Sequence, residues 1–183
     1  MTALQIDLLR HGETTAGKCF LGRTDALLTP VGWQQMSEGL QQQIPRDYDL
    51  IISSPLQRCA AFAHEWAGAR VRIDPRLREY DFGDWDGCTA ADIHDQSPEL
   101  LGQFWQDPWH CHPPGAEALP DFFARLGELV HELQQQHQGR VLLICHGGVI
   151  RALNCILNGL PVSEMLAFPV AHGSLHRLQD ARR

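Results

Sequence analysis

Three stretches of the chain end in the same way: a short apolar run stops abruptly at polar residues beside glycine or proline. They are "LQIDLLRHG" (4–12), "DLIISSPLQR" (49–58) and "GRVLLICHGG" (139–148). Apolar runs this short, closed by Gly or Pro, suit strands buried in a sheet better than helices. The second and third pass straight into helical spacing, from Ser54-Pro55 to Ala67 and from about 148 to 158, where Gly159 and Pro161 stop it. Strands are therefore expected at 4–9, 49–52 and 141–145, each ending in groups that are expensive to bury without partners.

The connecting segments fit the same plan. "LTPVGWQQM" opens a helix, with Thr29 as cap and Pro30 in its first turn, and "ARVRID" reads as a short strand. A longer helix is expected from about Glu117 to His137, with Leu119, Phe122, Phe123, Leu126, Leu129, Val130 and Leu133 at helical spacing. "GSLHRL", 173–178, reads as a last strand at an edge. Alternating strands and helices predict an α/β fold, a three-layer α/β/α sandwich on a mostly parallel sheet. One domain is expected over 1–183. Residues 98–115, rich in Pro, Trp and His without clear period, are expected to be irregular and to form the middle of a cover over about 85–118.

Charge and composition narrow the function. A net charge of -7 excludes a broad basic face for nucleic acid. The 15 cationic residues are all Arg except Lys18, which supplies bidentate groups for carboxylate or phosphate. The six cysteines contain no C-x-x-C pair and read as reduced thiols. "MTALQIDLL" lacks the marks of a signal peptide and no apolar run is long enough for a membrane span, so a cytoplasmic protein is expected.

In open α/β sheets ligands bind beyond the carboxyl ends of the strands, where the chain places Arg10, His11 and His146. Arg58 follows Ser54 by four residues, so both are expected on one face of a first helical turn, pointing back to that rim. Helix N-termini at about 55 and 148 are expected to add backbone donors. Two arginines, two histidines and two helix ends suit a phosphate better than a carboxylate.

Taken together, "LLRHGET", "SSPLQR", "LREYDFGDWDG" and "CHGGVIR" resemble, in order, the motifs of the histidine phosphatases, the phosphoglycerate mutase-like superfamily. The resemblance spans residues 8–151. It implies a metal-independent phosphomonoesterase without cofactor. His11 would attack phosphorus, Arg10, Arg58 and His146 would hold the phosphoryl oxygens, and Glu79 would protonate the leaving alcohol. Thr14 and the backbone at Gly22 would line the phosphate pocket. Gly17 stands where the family often has Asn, so that side-chain contact to phosphate is open to replacement by Arg23, Thr24 or a backbone N–H.

The chain is shorter than the mutases and is most similar to the α-ribazole phosphatases of cobalamin assembly, which implies a 5'-phosphate on α-ribazole or its cobamide adduct as substrate. A broad-specificity or sugar-phosphate phosphatase is the alternative, and a non-catalytic phosphate-binding protein a further one. The expected partner is a small phosphomonoester, with the protein a monomer or homodimer.

Other readings of single residues stay open at this point. Arg10 could close a strand end against Asp7 or Glu13, and Arg58 could be a surface arginine. His146 could be a satisfied core histidine. Glu79 could pair with Arg76 or Arg78, leaving Asp81 or Asp84 as the acid. His110, Cys111 and His112 admit a metal reading, but their irregular spacing favours solvated loop residues. His172 either touches substrate or caps the last strand. Trp85, Trp105 and Trp109 read as packing residues, those in the cover having the alternative of stacking on a flat group.

Overall fold

The computed structural model describes residues 4–179, which form one five-stranded sheet with helices on both faces. In chain order the main elements are β1 (Gln5–Arg10), α1 (Pro30–Gly39), β2 (Leu50–Ser53), α2 (Gln57–Ala67), β3 (Val71–Ile73), α3 (Ala90–Gln96), α4 (Pro98–Gln106), α5 (Leu119–Gln136), β4 (Arg140–Cys145), α6 (Gly147–Asn158) and β5 (Leu175–Gln179). The strand order is β3-β2-β4-β1-β5; β5 runs antiparallel to β1 and the other neighbours are parallel. The fold is the α/β class expected from the alternation of elements.

Because strand side chains alternate between faces, β1 divides its residues between two cores. Ile6 and Leu8 join α5 and α6, while Leu9 joins Met36 of α1 and Cys59 and Phe62 of α2. Asp7 also points inward and is fully buried, held by Arg140 (2.7 Å), the Tyr48 hydroxyl (2.9 Å) and Arg177 (3.2 Å).

Register then assembles the site. Arg10 pairs with Cys145 and Ser53 with Ile144, so His11, Ser54 and His146 leave the sheet together at one rim. The His11 amide donates to the Cys145 carbonyl (3.0 Å) and the Ser54 amide to that of Ile144 (3.0 Å), extending the ladder past the last paired residues.

Two expectations are corrected. Residues 98–106 are helical: Pro98 sits in the first turn of α4, and Leu101 and Phe104 bury one face. With Ile93 and Trp85 they make a separate small core against Phe20 and Phe82, so this helix is held by tertiary packing despite Gly102 and its short length. The second helix begins at Gln57 with Leu56 as cap, so Ser54 precedes the first turn instead of sharing it.

Candidate active site

His11 is 5% exposed, and its Nδ1 lies 2.8 Å from the Gly12 carbonyl oxygen. A carbonyl only accepts, so the ring proton sits on Nδ1 and Nε2 carries the lone pair. Burial, and then the nearby Arg58 guanidinium, hold the His11 pKa well below the usual imidazole value, so the ring is neutral at physiological pH. The turn needs glycine at position 12: a Cβ there would stand 2.0 Å from the Gly32 carbonyl oxygen, because α1 packs directly on the loop.

His146 is fully buried, with its ring centroid 5.2 Å from that of His11. Its Nδ1 accepts from Arg58 Nε (3.2 Å), which leaves Nε2 to donate to Ser54 Oγ (2.8 Å). Burial and Arg58 also push its pKa well down. Arg58 is fully buried too and donates to the carbonyls of Thr24 (2.7 Å), Gly22 (2.9 Å) and Leu21 (3.1 Å), tying the 21–24 loop to α2. It is not a surface arginine.

Arg10 does not pair with Asp7 or Glu13. Its Nη1 donates to the Val170 carbonyl (2.6 Å), while its buried Nε has no partner among the described residues. Burial lowers its pKa and Glu79 opposes that effect. A desolvated cation with an idle donor is a demand for an anion.

Glu79 reaches the same place from an irregular segment. Its Oε2 accepts from the Gly148 amide (2.9 Å) and its Oε1 from the Tyr80 amide (3.0 Å). The α6 N-terminus thus already faces a carboxylate. At α2, Asp25 takes that place, accepting from the Gln57 amide (2.6 Å). The helix ends expected to face phosphate are occupied by acidic side chains, which the helix dipole favours equally.

A cavity opens over His11, Arg10 and Glu79. Thr14 and Gly17 line it, and Gly17 has a φ of +71° with open space for 4 Å around the point where a methyl group would project. Gly22, Arg58 and His146 do not line it: the Gly22 amide goes to Asp86 Oδ1 (2.7 Å) and its carbonyl to Arg58, and the buried Arg58 and His146 side chains are bonded to the loop carbonyls, to each other and to Ser54. Phe20, Phe82, Phe104 and Trp105 form one wall, and Met165 and Leu166 lie on the cavity as well. His172 lines it with its ring 5.7 Å from His11, and Arg151 lines it beside Arg10. Neither Asp81 nor Asp84 reaches this cavity. His110, in the trio that admitted a metal reading, leans instead on Asp107 (2.9 Å).

Sequence reasoning missed Arg151 as a cavity residue. It lies four residues after Gly147, hence on the same face of α6, and that spacing was the available clue. Of the four aromatic residues of the wall, Trp105 alone was visible in the sequence.

The buried His–Arg cluster thus stands at the carboxyl ends of parallel strands, on a phosphoglycerate mutase-like α/β fold. The chain belongs to the histidine phosphatase superfamily (branch 1), whose model matches residues 6–182. A glucosyl-3-phosphoglycerate phosphatase of Mycolicibacterium vanbaalenii is 36% identical over 94% of this chain and 81% of its own. The adenosylcobalamin/α-ribazole phosphatase of Escherichia coli is 29% identical over 93% and 87%. Among solved structures, the α-ribazole phosphatase of Shigella flexneri superposes with a TM-score of 0.82 at 29% identity, over 94% of this chain and 89% of that one. The chain is accordingly a phosphoric monoester hydrolase.

Proposed function

We propose that the protein hydrolyses phosphomonoesters through a phosphohistidine on His11. Nε2 attacks phosphorus, the bond to the alcohol oxygen breaks, and Glu79 gives that oxygen its proton. Water then attacks the phosphohistidine, Glu79 takes a proton from it, and inorganic phosphate leaves with His11 restored. Arg10, Arg58, His146 and Thr14 hold the phosphoryl oxygens. Arg58 and His146 do so by exchanging bonds they now make to the loop carbonyls and to Ser54. Positioned cations stabilise the transferring group, so the scheme calls for no metal.

The observation that carries this reading is the free Nε2 lone pair of a buried, neutral His11 next to Arg10, whose Nε has no partner among the described residues. The test is phosphate release in the presence of a chelator, with His11→Ala and Glu79→Ala beside the parent. The parent should keep its rate, Glu79→Ala should lose about a hundredfold or more, and His11→Ala should be silent.

For the substrate we favour α-ribazole 5'-phosphate or its cobamide adduct, because the aromatic wall offers a flat apolar group a surface to stack on. A carboxylated sugar phosphate is the second reading, favoured by Arg151 on the same cavity and by the relatives named glucosyl-3-phosphoglycerate phosphatases. The reading takes 1–183 as one domain, monomer or homodimer. The free cysteines support a reducing compartment, the cytoplasm; among the described residues no helix is long and apolar enough to cross a membrane.

A further inference from the structure

We propose that Arg125, paired with Glu117, is the positioning residue that holds Glu79 at the reacting centre. The proposal rests on the reading of Glu79 as proton donor. Glu79 belongs to no helix or strand: it stands between two single 3-10 turns, Pro75–Leu77 and Gly83–Trp85. Such a segment has no ladder of its own to fix an acid within the fraction of an ångström that proton transfer needs.

Arg125 supplies the missing support from α5, a long helix anchored by the buried Phe122, Leu126 and Leu129. Its Nη1 donates to the carbonyls of Arg76 and Arg78 (2.9 Å for the latter), and its Nη2 to that of Glu79 itself (3.2 Å). The other two donors go to Glu117, Nε to Oε1 (2.7 Å) and Nη2 to Oε2 (2.9 Å). All five guanidinium N–H groups are therefore used, three of them on the backbone carrying the acid. Glu117 grips the far side of the same segment, its amide donating to the Asp81 carbonyl (3.0 Å). The guanidinium lies 4.6 Å from the Phe122 ring centroid, which fixes its plane.

A general surface ion pair would spread its effect evenly over all substrates. A positioning residue for the proton donor would not, because only a poor leaving group needs the proton. The value kcat/KM reports the step in which the alcohol departs, so p-nitrophenyl phosphate, whose leaving group departs unaided, should be compared with glycerol 3-phosphate, an alkyl ester. Glu79→Gln should lose about a thousandfold on the alkyl ester and only a few-fold on the aryl ester. Arg125→Gln should show the same split at about thirtyfold against less than threefold. Arg125→Lys keeps the charge but lacks the planar fork, and should resemble Arg125→Gln.

Equal losses on both esters, or none, in the Arg125 variants while Glu79→Gln splits them would overturn the positioning role alone. An even loss in Glu79→Gln would overturn the donor reading and this proposal with it. If the Arg125 variants do not fold, Glu117→Gln, which leaves the three backbone bonds available, decides by the same criterion with an expected split of about tenfold.

Discussion

Nδ1 of His11 and the carbonyl oxygen of Gly12 stand 2.8 Å apart, an interaction between neighbouring residues inside the loop. The tautomer of His11 is thereby set by the backbone of the RHG turn itself.

The same burial makes a statement about pH. His11 and His146 both have folded pKa values well below the ordinary imidazole value. Below about pH 6.5 the unfolded chain takes up protons at these sites and the folded chain does not, so stability falls as pH falls through that value. Each ring should contribute a loss of up to about 1.4 kcal/mol per pH unit until its folded pKa is reached. Urea titrations at pH 7.5 and 5.5 should show the drop, and nitrogen NMR should find His11 neutral at pH 6. A His11 ring that titrates near 6.5 would contradict the assignment.

Arg58 holds His146 and three loop carbonyls from a fully buried position. Arg58→Ala should cost about 3 kcal/mol or more, since buried acceptors are left without donors. Arg58→Lys should recover part of the stability and little of the activity, because an ammonium cannot span the carbonyls and His146 together. Thermal melts beside phosphate-release assays would separate the two effects.

At Gly148 a methyl group would come within 2.5 Å of Glu79 Oε1. The carboxylate can swing away, so Gly148→Ala should fold with nearly parental stability while kcat/KM for alkyl esters falls about ten- to a hundredfold. Unchanged kinetics would show that the Glu79–Gly148 contact has no part in turnover.

Trp105 is 46% exposed on the aromatic wall and Arg151 lies on the same cavity. If α-ribazole phosphate is the substrate, Trp105→Ala should raise its KM about tenfold, a stacking contribution, and Arg151→Gln should matter little. If a carboxylated phosphate is the substrate, Arg151→Gln should weaken it about thirtyfold, the loss of a charge-assisted bond, and Trp105→Ala should matter less. Kinetics of both variants on α-ribazole phosphate and 3-phosphoglycerate would discriminate.

Much of the site was legible because it is carried by strand ends. The apolar runs that stop at Arg10-His11, Ser53-Ser54 and Cys145-His146 fix both the sheet and the rim, and parallel register brings them level. What lay hidden depends on contacts across the chain. α4 is too short to declare itself and exists by packing Leu101 and Phe104 on Phe20 and Trp85. That Asp25 and Glu79 occupy the helix ends, or that Gly22 faces Asp86, follows from loop geometry that no local spacing encodes.

The most direct measurement is phosphopeptide mapping of protein quenched in alkali during turnover, where phosphohistidine survives. The account predicts one phosphoryl group, on Nε2 of His11. A phosphoryl group on another residue, or none in the parent while His11→Ala hydrolyses substrate at the parent's rate, would contradict it.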